Sequence, residues 1–94
     1  MNDKDLDLPI EHYITYDLNE NTDELITVYS RLLSNFQENK EYNYWRIRLN
    51  YWVNYRNNIK NLGIDSLEKV RIEIDRTYSE RFLMRETVIK LLAE

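Results

Sequence analysis

The feature that most constrains the fold of this chain is its shortage of residues that break helices and form tight turns. Gly63 is the only glycine and Pro9 the only proline among 94 residues. Antiparallel sheets and barrels need turn residues, glycine above all, at short intervals along the chain. Long stretches without such residues favour helices, so we expect an all-α fold.

Three long segments carry apolar residues at helical spacing. They cover residues 22–38, 41–62 and about 66–93, and Gly63 is placed to cap the end of the middle one. A chain of 11.6 kDa has room for one hydrophobic core only. The sequence therefore predicts a small helical bundle of three long helices.

The N-terminal part adds a shorter element. Residues 1–8 are polar and acidic and are predicted to be a tail, with a single helical domain over residues 9–94. Pro9 suits the first turn of a short N-terminal helix that ends near Leu18, although the β-formers that follow His12 also fit a strand. Residues 19–22 are predicted to be the linker to the first long helix.

The last segment contains a conflict. Its apolar stripe is interrupted by Arg81 and Arg85, and Thr77–Glu80 has the spacing of a helix-capping box. Either the helix breaks or kinks near residues 78–80, or the two arginines lie on its inner side. Inner arginines would need ion pairs within the chain, whereas arginines at a break could bind an anionic partner.

The middle segment is apolar around more than half of its circumference. Its apolar arc is built on Trp45, Leu49, Trp52 and Ile59, and tyrosines widen it. A helix this apolar is usually covered on several sides, so we expect it to be the central helix of the bundle. The remaining narrow stripe is polar and consists of Asn43, Arg46, Asn50, Asn54, Asn57 and Asn61.

The asparagine stripe has two interpretations. Asparagine is a poor helix former, costing up to about 0.7 kcal/mol per site relative to alanine. Its amide both donates and accepts hydrogen bonds, so the stripe could bind a partner's backbone or bases. Alternatively, 11 asparagines, nine isoleucines and eight tyrosines indicate an A/T-rich genome, such as that of a phage or a low-GC bacterium.

Charge is unevenly distributed along the chain. Residues 1–39 hold nine acidic and two basic residues, a net charge of −7, whereas residues 40–62 hold five basic and one acidic, a net charge of +4. The acidic N-terminal elements could pack beside the basic middle helix. Alternatively, one of these charged faces meets a charged partner.

Two arginines fall inside the apolar arc of the middle helix. Arg48 and Arg56 must each be paired or extend outward to water. The candidate partners are Glu73 and Asp75 on the last helix and Glu24 on the preceding one. Structural ion pairs are the expected outcome.

The residue types needed for catalysis are scarce. The chain has no cysteine, one histidine (His12) and no glycine-rich loop. We therefore expect no enzyme activity, no cofactor and no metal site. No apolar run reaches the length of a membrane span, and the acidic N-terminus lacks the features of a signal peptide, so a cytoplasmic location is expected.

These observations favour a non-enzymatic interaction protein. The expected function is that of an inhibitor or adaptor, of the immunity, antitoxin or phage anti-defence type, which binds and blocks another macromolecule. That partner is expected to be a protein, with a nucleic-acid-binding protein as one option, because acidic residues could mimic a polyanion. The predicted partner-binding residues are Asn43, Arg46, Asn50, Asn54, Asn57, Asp3, Asp5 and Asp7.

Two other functions fit the sequence. The basic, aromatic middle helix could bind nucleic acid in a regulator, although the acidic chain as a whole argues against this. Alternatively, the apolar residues 82–92 could form the homodimer interface of a self-associating structural subunit.

Overall fold

The computed structural model describes residues 10–59 and 67–94, and it describes side-chain surroundings for 17–59 and 68–94. Within these residues the chain forms three helices and no strand, which confirms the all-α prediction. The helices are α1 (Ile10–Asn35), α2 (Tyr42–Asn58) and α3 (Leu67–Ala93). The predicted acidic tail over 1–8 and the predicted cap at Gly63 lie outside the described residues.

The predicted linker at residues 19–22 is wrong, because this stretch lies inside α1. Thr22 is fully buried, and its hydroxyl donates to the carbonyl oxygens of Leu18 (2.7 Å) and Asn19 (3.1 Å). Asn21 is also buried and hydrogen-bonds to α3. A separate short N-terminal helix is therefore not shown: Ile10 already belongs to a 26-residue helix.

The last helix is continuous, so of the two alternatives for residues 78–80 the break does not occur. The hydroxyl of Thr77 donates to the carbonyl oxygen of Ile74 (3.0 Å), so it does not cap a new helix. Arg81 lies on the inner side, where it pairs with α1, whereas Arg85 is exposed. The inner position therefore applies to one of the two arginines.

The central helix is α1, not α2 as the apolar arc predicted. Cα atoms of α1 come within 8 Å of both α2 and α3, but no Cα atom of α2 lies that close to α3. Accordingly, Leu18, Leu25, Tyr29 and Leu32 of α1 are at most 1% exposed. The arc of α2 extends beyond what α1 covers, and it leaves Tyr44, Ile47 and Tyr51 at the surface.

The core joins all three helices. The main cluster of buried residues consists of Leu25, Tyr29, Leu32, Trp45, Trp52 and Met84. A second cluster of Leu18, Ile59 and Val70 lies at the other end of the bundle. The predicted core positions of the middle segment are confirmed for Trp45, Trp52 and Ile59, and Leu49 is partly buried against the main cluster. This arrangement turns the polar stripe of α2 away from the core.

Candidate functional site

The polar stripe of α2 forms one exposed face. Each described member of the stripe is exposed: Asn43, Arg46, Asn50, Asn54 and Asn57. None of these side chains forms a hydrogen bond or an ion pair within the described residues. The face stands opposite Trp45 and Trp52, whose burial against α1 sets the rotation of the helix. We call these five residues the asparagine face.

The structure does not describe the other predicted binding residues. Asp3, Asp5 and Asp7 lie outside the described residues, as does Asn61 of the stripe. Of the acidic residues at the start of the chain, Asp17 and Glu20 are the first whose side chains are described, and both are exposed.

The arginines of α2 differ in their surroundings. Arg48 pairs with Glu80 (Nη2 to Oε1, 2.5 Å) and Arg56 pairs with Asp23 (Nε to Oδ1, 2.7 Å). Internal ion pairs were expected, but the predicted partners Glu73, Asp75 and Glu24 were wrong for both arginines. Arg46 alone among the three has no acidic partner within the described residues.

Glu80 is the polar centre of the bundle. Its carboxylate accepts hydrogen bonds from the Tyr29 hydroxyl (2.9 Å), from Nε of Arg48 (3.3 Å) and from Nε1 of Trp52. These donors come from α1 and α2, so one carboxylate of α3 joins all three helices. Burial, with the neighbouring carboxylate, raises the pKa of Tyr29 well above its ordinary value.

A second polar cluster lies two turns away between α2 and α3. The Tyr55 hydroxyl donates to Glu73 (2.5 Å), and Arg76 pairs with the same carboxylate (3.1 Å). Arg76 also donates to the Tyr51 hydroxyl (2.8 Å) and lies over the rings of Tyr51, Trp52 and Tyr55. Burial, followed by the contact with Glu73, raises the pKa of Tyr55.

A third polar cluster joins α1 to α3. Asn21 donates through Nδ2 to the Thr77 hydroxyl (3.1 Å) and accepts at Oδ1 from Arg81 (2.9 Å). Arg81 also pairs with Glu24 (3.0 Å). In these three clusters, polar side chains of different helices bond to one another and hold the helices in register. The donors and acceptors of the asparagine face take no part in them.

Sequence reasoning missed the role of Glu80, although a signal was present. Glu73 and Glu80 are seven residues apart on α3, and Arg48 and Tyr55 are seven residues apart on α2. Residues at this spacing share a helix face. Two antiparallel helices with matching seven-residue spacings can therefore form both contacts in a single register.

The described part of the chain offers little for other kinds of site. The described side chains, those of residues 17–59 and 68–94, include no group of three or more His, Cys, Asp or Glu placed to hold a metal ion. No described helix combines the length and the apolar character needed to cross a membrane. Comparisons with protein-family models, with curated proteins and with solved structures gave no significant match.

Proposed function

We propose that this chain is a small non-enzymatic inhibitor or adaptor that binds another protein through the asparagine face of α2 and blocks it by occupying its surface. Immunity factors, antitoxins and phage anti-defence proteins act in this general way. The observation that carries the proposal is the exposure of five polar side chains on one helix face with no partner in the described chain.

The chemistry of this face suits a protein partner. Each asparagine amide offers two N–H donors and a carbonyl acceptor, and these can pair with the backbone or polar side chains of another protein. Arg46 adds a guanidinium that has no acidic partner within the described residues, and arginine is enriched among residues that dominate binding energy. The face is part of a helix whose opposite side is fixed in the core, so binding requires little ordering.

The acidic N-terminal region supports a target with a basic surface. Residues 1–39 carry a net charge of −7. This charge would steer the protein toward a positively charged surface and speed encounter. Asp3, Asp5 and Asp7 contribute three of the negative charges, and we propose that they act as a polyanion that covers a nucleic-acid-binding site on the target.

The ion pairs of α2 favour this function over direct nucleic-acid binding. A phosphate-binding helix needs several cations free to neutralise phosphates. Arg48 and Arg56 each pair with a carboxylate of the same chain, so Arg46 is the arginine of α2 that has no partner among the described residues. One unpaired arginine on α2, in a chain that is acidic as a whole, is a weak electrostatic basis for binding DNA or RNA through this helix.

Affinity purification from the native host or from its phage-infected cells tests the proposal, with protein and nucleic acid both analysed. The bait is compared with an Asn50→Ala/Asn54→Ala variant, which places a good helix former at both positions and so preserves α2. The matched control is Ser30→Ala/Ser34→Ala, which has the same four-residue spacing on the exposed side of α1. We expect one stoichiometric protein that binds the wild type and the control but is lost from the asparagine variant.

Two results would overturn the proposal. A protein partner that binds all three baits equally would remove the role of the asparagine face. Nucleic acid that co-purifies with the bait and dissociates at high salt would instead support a nucleic-acid-binding regulator. The acidic residues are tested separately: neutralising Asp3, Asp5 and Asp7 together should weaken partner binding and flatten its salt dependence.

A further inference from the structure

Helix α3 carries two apolar seams, and only one of them packs against the described part of the chain. The inner seam packs toward α1 and includes Val70, Thr77, Met84 and Val88. Roughly a quarter-turn around the helix, a second seam follows the spacing four, three, four, three. Its members are Tyr78, Phe82, Arg85, Ile89 and Leu92. Alternating steps of four and three residues are typical of the contact line between two packed helices.

The second seam is exposed along its whole length. Tyr78 is 59% exposed, Phe82 54%, Ile89 56% and Leu92 73%. Single exposed apolar residues are ordinary, but a contiguous row of large ones is typical of an interaction surface. We call these five residues, with Arg85 in the middle of the row, the outer seam.

We propose that the outer seam of α3 binds the outer seam of a second copy of this chain, with the two helices antiparallel. The chain then forms a symmetric homodimer whose interface is separate from the asparagine face. The proposal rests on the charges at the centre of the seam, on a depression near one end of it and on the apolar area that it exposes.

Charge complementarity selects the antiparallel arrangement. Arg85 and its neighbour Glu86 are both exposed, and neither forms an ion pair or a side-chain hydrogen bond within the described residues. A parallel pair of helices in register would place the two Arg85 side chains against each other. A two-fold axis between residues 85 and 86 instead places Arg85 of each copy beside Glu86 of the other.

The same axis also brings complementary shapes together. Tyr78, Ser79, Phe82 and Leu83 line an open apolar depression on α3. Antiparallel pairing about this axis sets Leu92 of one copy opposite Ser79 of the other, so the most exposed apolar side chain enters the depression. Phe82 of each copy then lies opposite Ile89 of the other. Two independent features of the helix thus agree on one register.

The exposed area predicts a weak dimer. Half-exposed aromatic and aliphatic side chains each present on the order of 100 Å² of surface. The four apolar residues of the outer seam and the adjacent Leu83 therefore present about 500 Å² per copy. A total of about 1,000 Å² is near the lower limit for specific protein interfaces. We therefore expect a dissociation constant in the micromolar range, detectable only at high protein concentration.

Sedimentation velocity from about 5 μM to about 500 μM tests the proposal. The wild type should pass from monomer to dimer across this series. Ile89 is exposed, so replacing it by lysine should not disturb the fold. Ile89→Lys should raise the dissociation constant of the dimer at least about tenfold, because the lysine would have to be desolvated in the interface. The matched control is Ile47→Lys, which changes an equally exposed isoleucine on α2 and should leave dimerisation unchanged.

A charge reversal tests the antiparallel register. Arg85→Glu should weaken the dimer, because it faces Glu86 of the second copy, and Arg85→Glu combined with Glu86→Arg should restore it. A wild type that stays monomeric throughout the series would overturn the proposal. Equal effects of Ile89→Lys and Ile47→Lys would show that the outer seam is not the interface. Failure of the double reversal to restore dimerisation would contradict the antiparallel register.

Discussion

Arg48 of α2 and Glu80 of α3 form an ion pair between two helices that have no Cα atoms within 8 Å of each other. The guanidinium of Arg48 bonds both carboxylate oxygens of Glu80, with Nη2 2.5 Å from Oε1 and Nε 3.3 Å from Oε2. Arg48 also lies over the rings of Tyr51 and Trp52, which shield it from water. The long side chains of this pair span the gap between α2 and α3, and Tyr29 ties the same carboxylate to α1.

Removal of the Glu80 carboxylate should destabilise the fold. Glu80→Ala leaves Tyr29, Arg48 and Trp52 without their acceptor, and a partly buried guanidinium loses its counter-charge. We expect a loss of about 2–4 kcal/mol in the free energy of unfolding. Urea unfolding followed by tryptophan fluorescence measures this change.

The matched control for Glu80 is Asp75→Ala. Asp75 pairs with Arg71 on the exposed side of the same helix, at 3.7 Å. Exposed pairs of this kind contribute at most about 1 kcal/mol. Equal losses for the two variants would show that Glu80 is not the polar centre of the bundle.

Stability should fall in acid through Glu73. Burial opposes the charge, but hydrogen bonds from Tyr55 and Arg76 outweigh it and lower the pKa of Glu73 in the folded state. A lowered folded-state pKa adds stability that is complete above the unfolded pKa of about 4.3 and is lost as the pH falls through the folded value. Unfolding measured between about pH 6 and pH 3 should therefore fall more steeply for the wild type than for Glu73→Gln. Parallel curves would contradict this assignment.

Two tyrosines should resist ionisation in alkali. The pKa of Tyr29 and that of Tyr55 are both raised by burial and by an adjacent carboxylate. Their contribution to stability is complete below the unfolded pKa of about 10 and is lost as the pH rises through the folded values. Tyrosinate absorbance near pH 11 should therefore show fewer ionised tyrosines in the native protein than in the urea-unfolded chain, which contains eight.

Mutation of each tyrosine to phenylalanine identifies the protected groups. Tyr29→Phe and Tyr55→Phe should each reduce the difference between the native and unfolded titrations. Tyr78→Phe is the control, because that side chain is exposed and makes no hydrogen bond within the described residues. An unchanged difference in the first two variants would place the protected tyrosines elsewhere.

Thr77→Val should destabilise the contact between α1 and α3. The substitution keeps the shape of the side chain but removes the acceptor for the buried Asn21 amide. An unsatisfied buried donor costs about 1–3 kcal/mol. Thermal unfolding followed by circular dichroism measures the loss.

Thr87→Val on the same helix is the control for Thr77. The Thr87 hydroxyl donates only to the carbonyl oxygen of Leu83, one turn earlier, in an exposed hydrogen bond. We expect a change within about 0.5 kcal/mol. A comparable loss at both positions would mean that Asn21 contributes nothing through Thr77.

The polar residues inside α1 show why part of the fold escaped prediction. Asn21 and Thr22 lie in a run that has the composition of a linker, since asparagine and threonine favour caps and turns. In the structure, α3 supplies Thr77 and Arg81 as partners for Asn21. Hydrogen bonds between helices thus outweigh the local preference of these residues for caps and turns, and no pattern in the neighbouring sequence predicts such bonds.

The candidate site divides in the same way. The grouping of the asparagine-face residues on one side of α2 follows from the sequence, because the spacing of residues in one helix determines which side chains share a face. Their role in binding stays a prediction. The partners of Arg48 and Arg56 were predicted wrongly, because several carboxylates on neighbouring helices were compatible with pairing. Only the arrangement of the helices selects Glu80 and Asp23 among them.

The sequence by itself determined the all-α class, the core positions Trp45, Trp52 and Ile59, and the polar stripe of α2. These properties follow from the scarcity of glycine and proline and from the helical spacing of apolar and polar residues within single segments. Only the tertiary structure decided that α1 is central, that α3 is unbroken and that Glu80 joins three helices. Such properties depend on which faces meet across the bundle, and contacts between distant residues are set by packing of the whole chain, not by the local order of its residues.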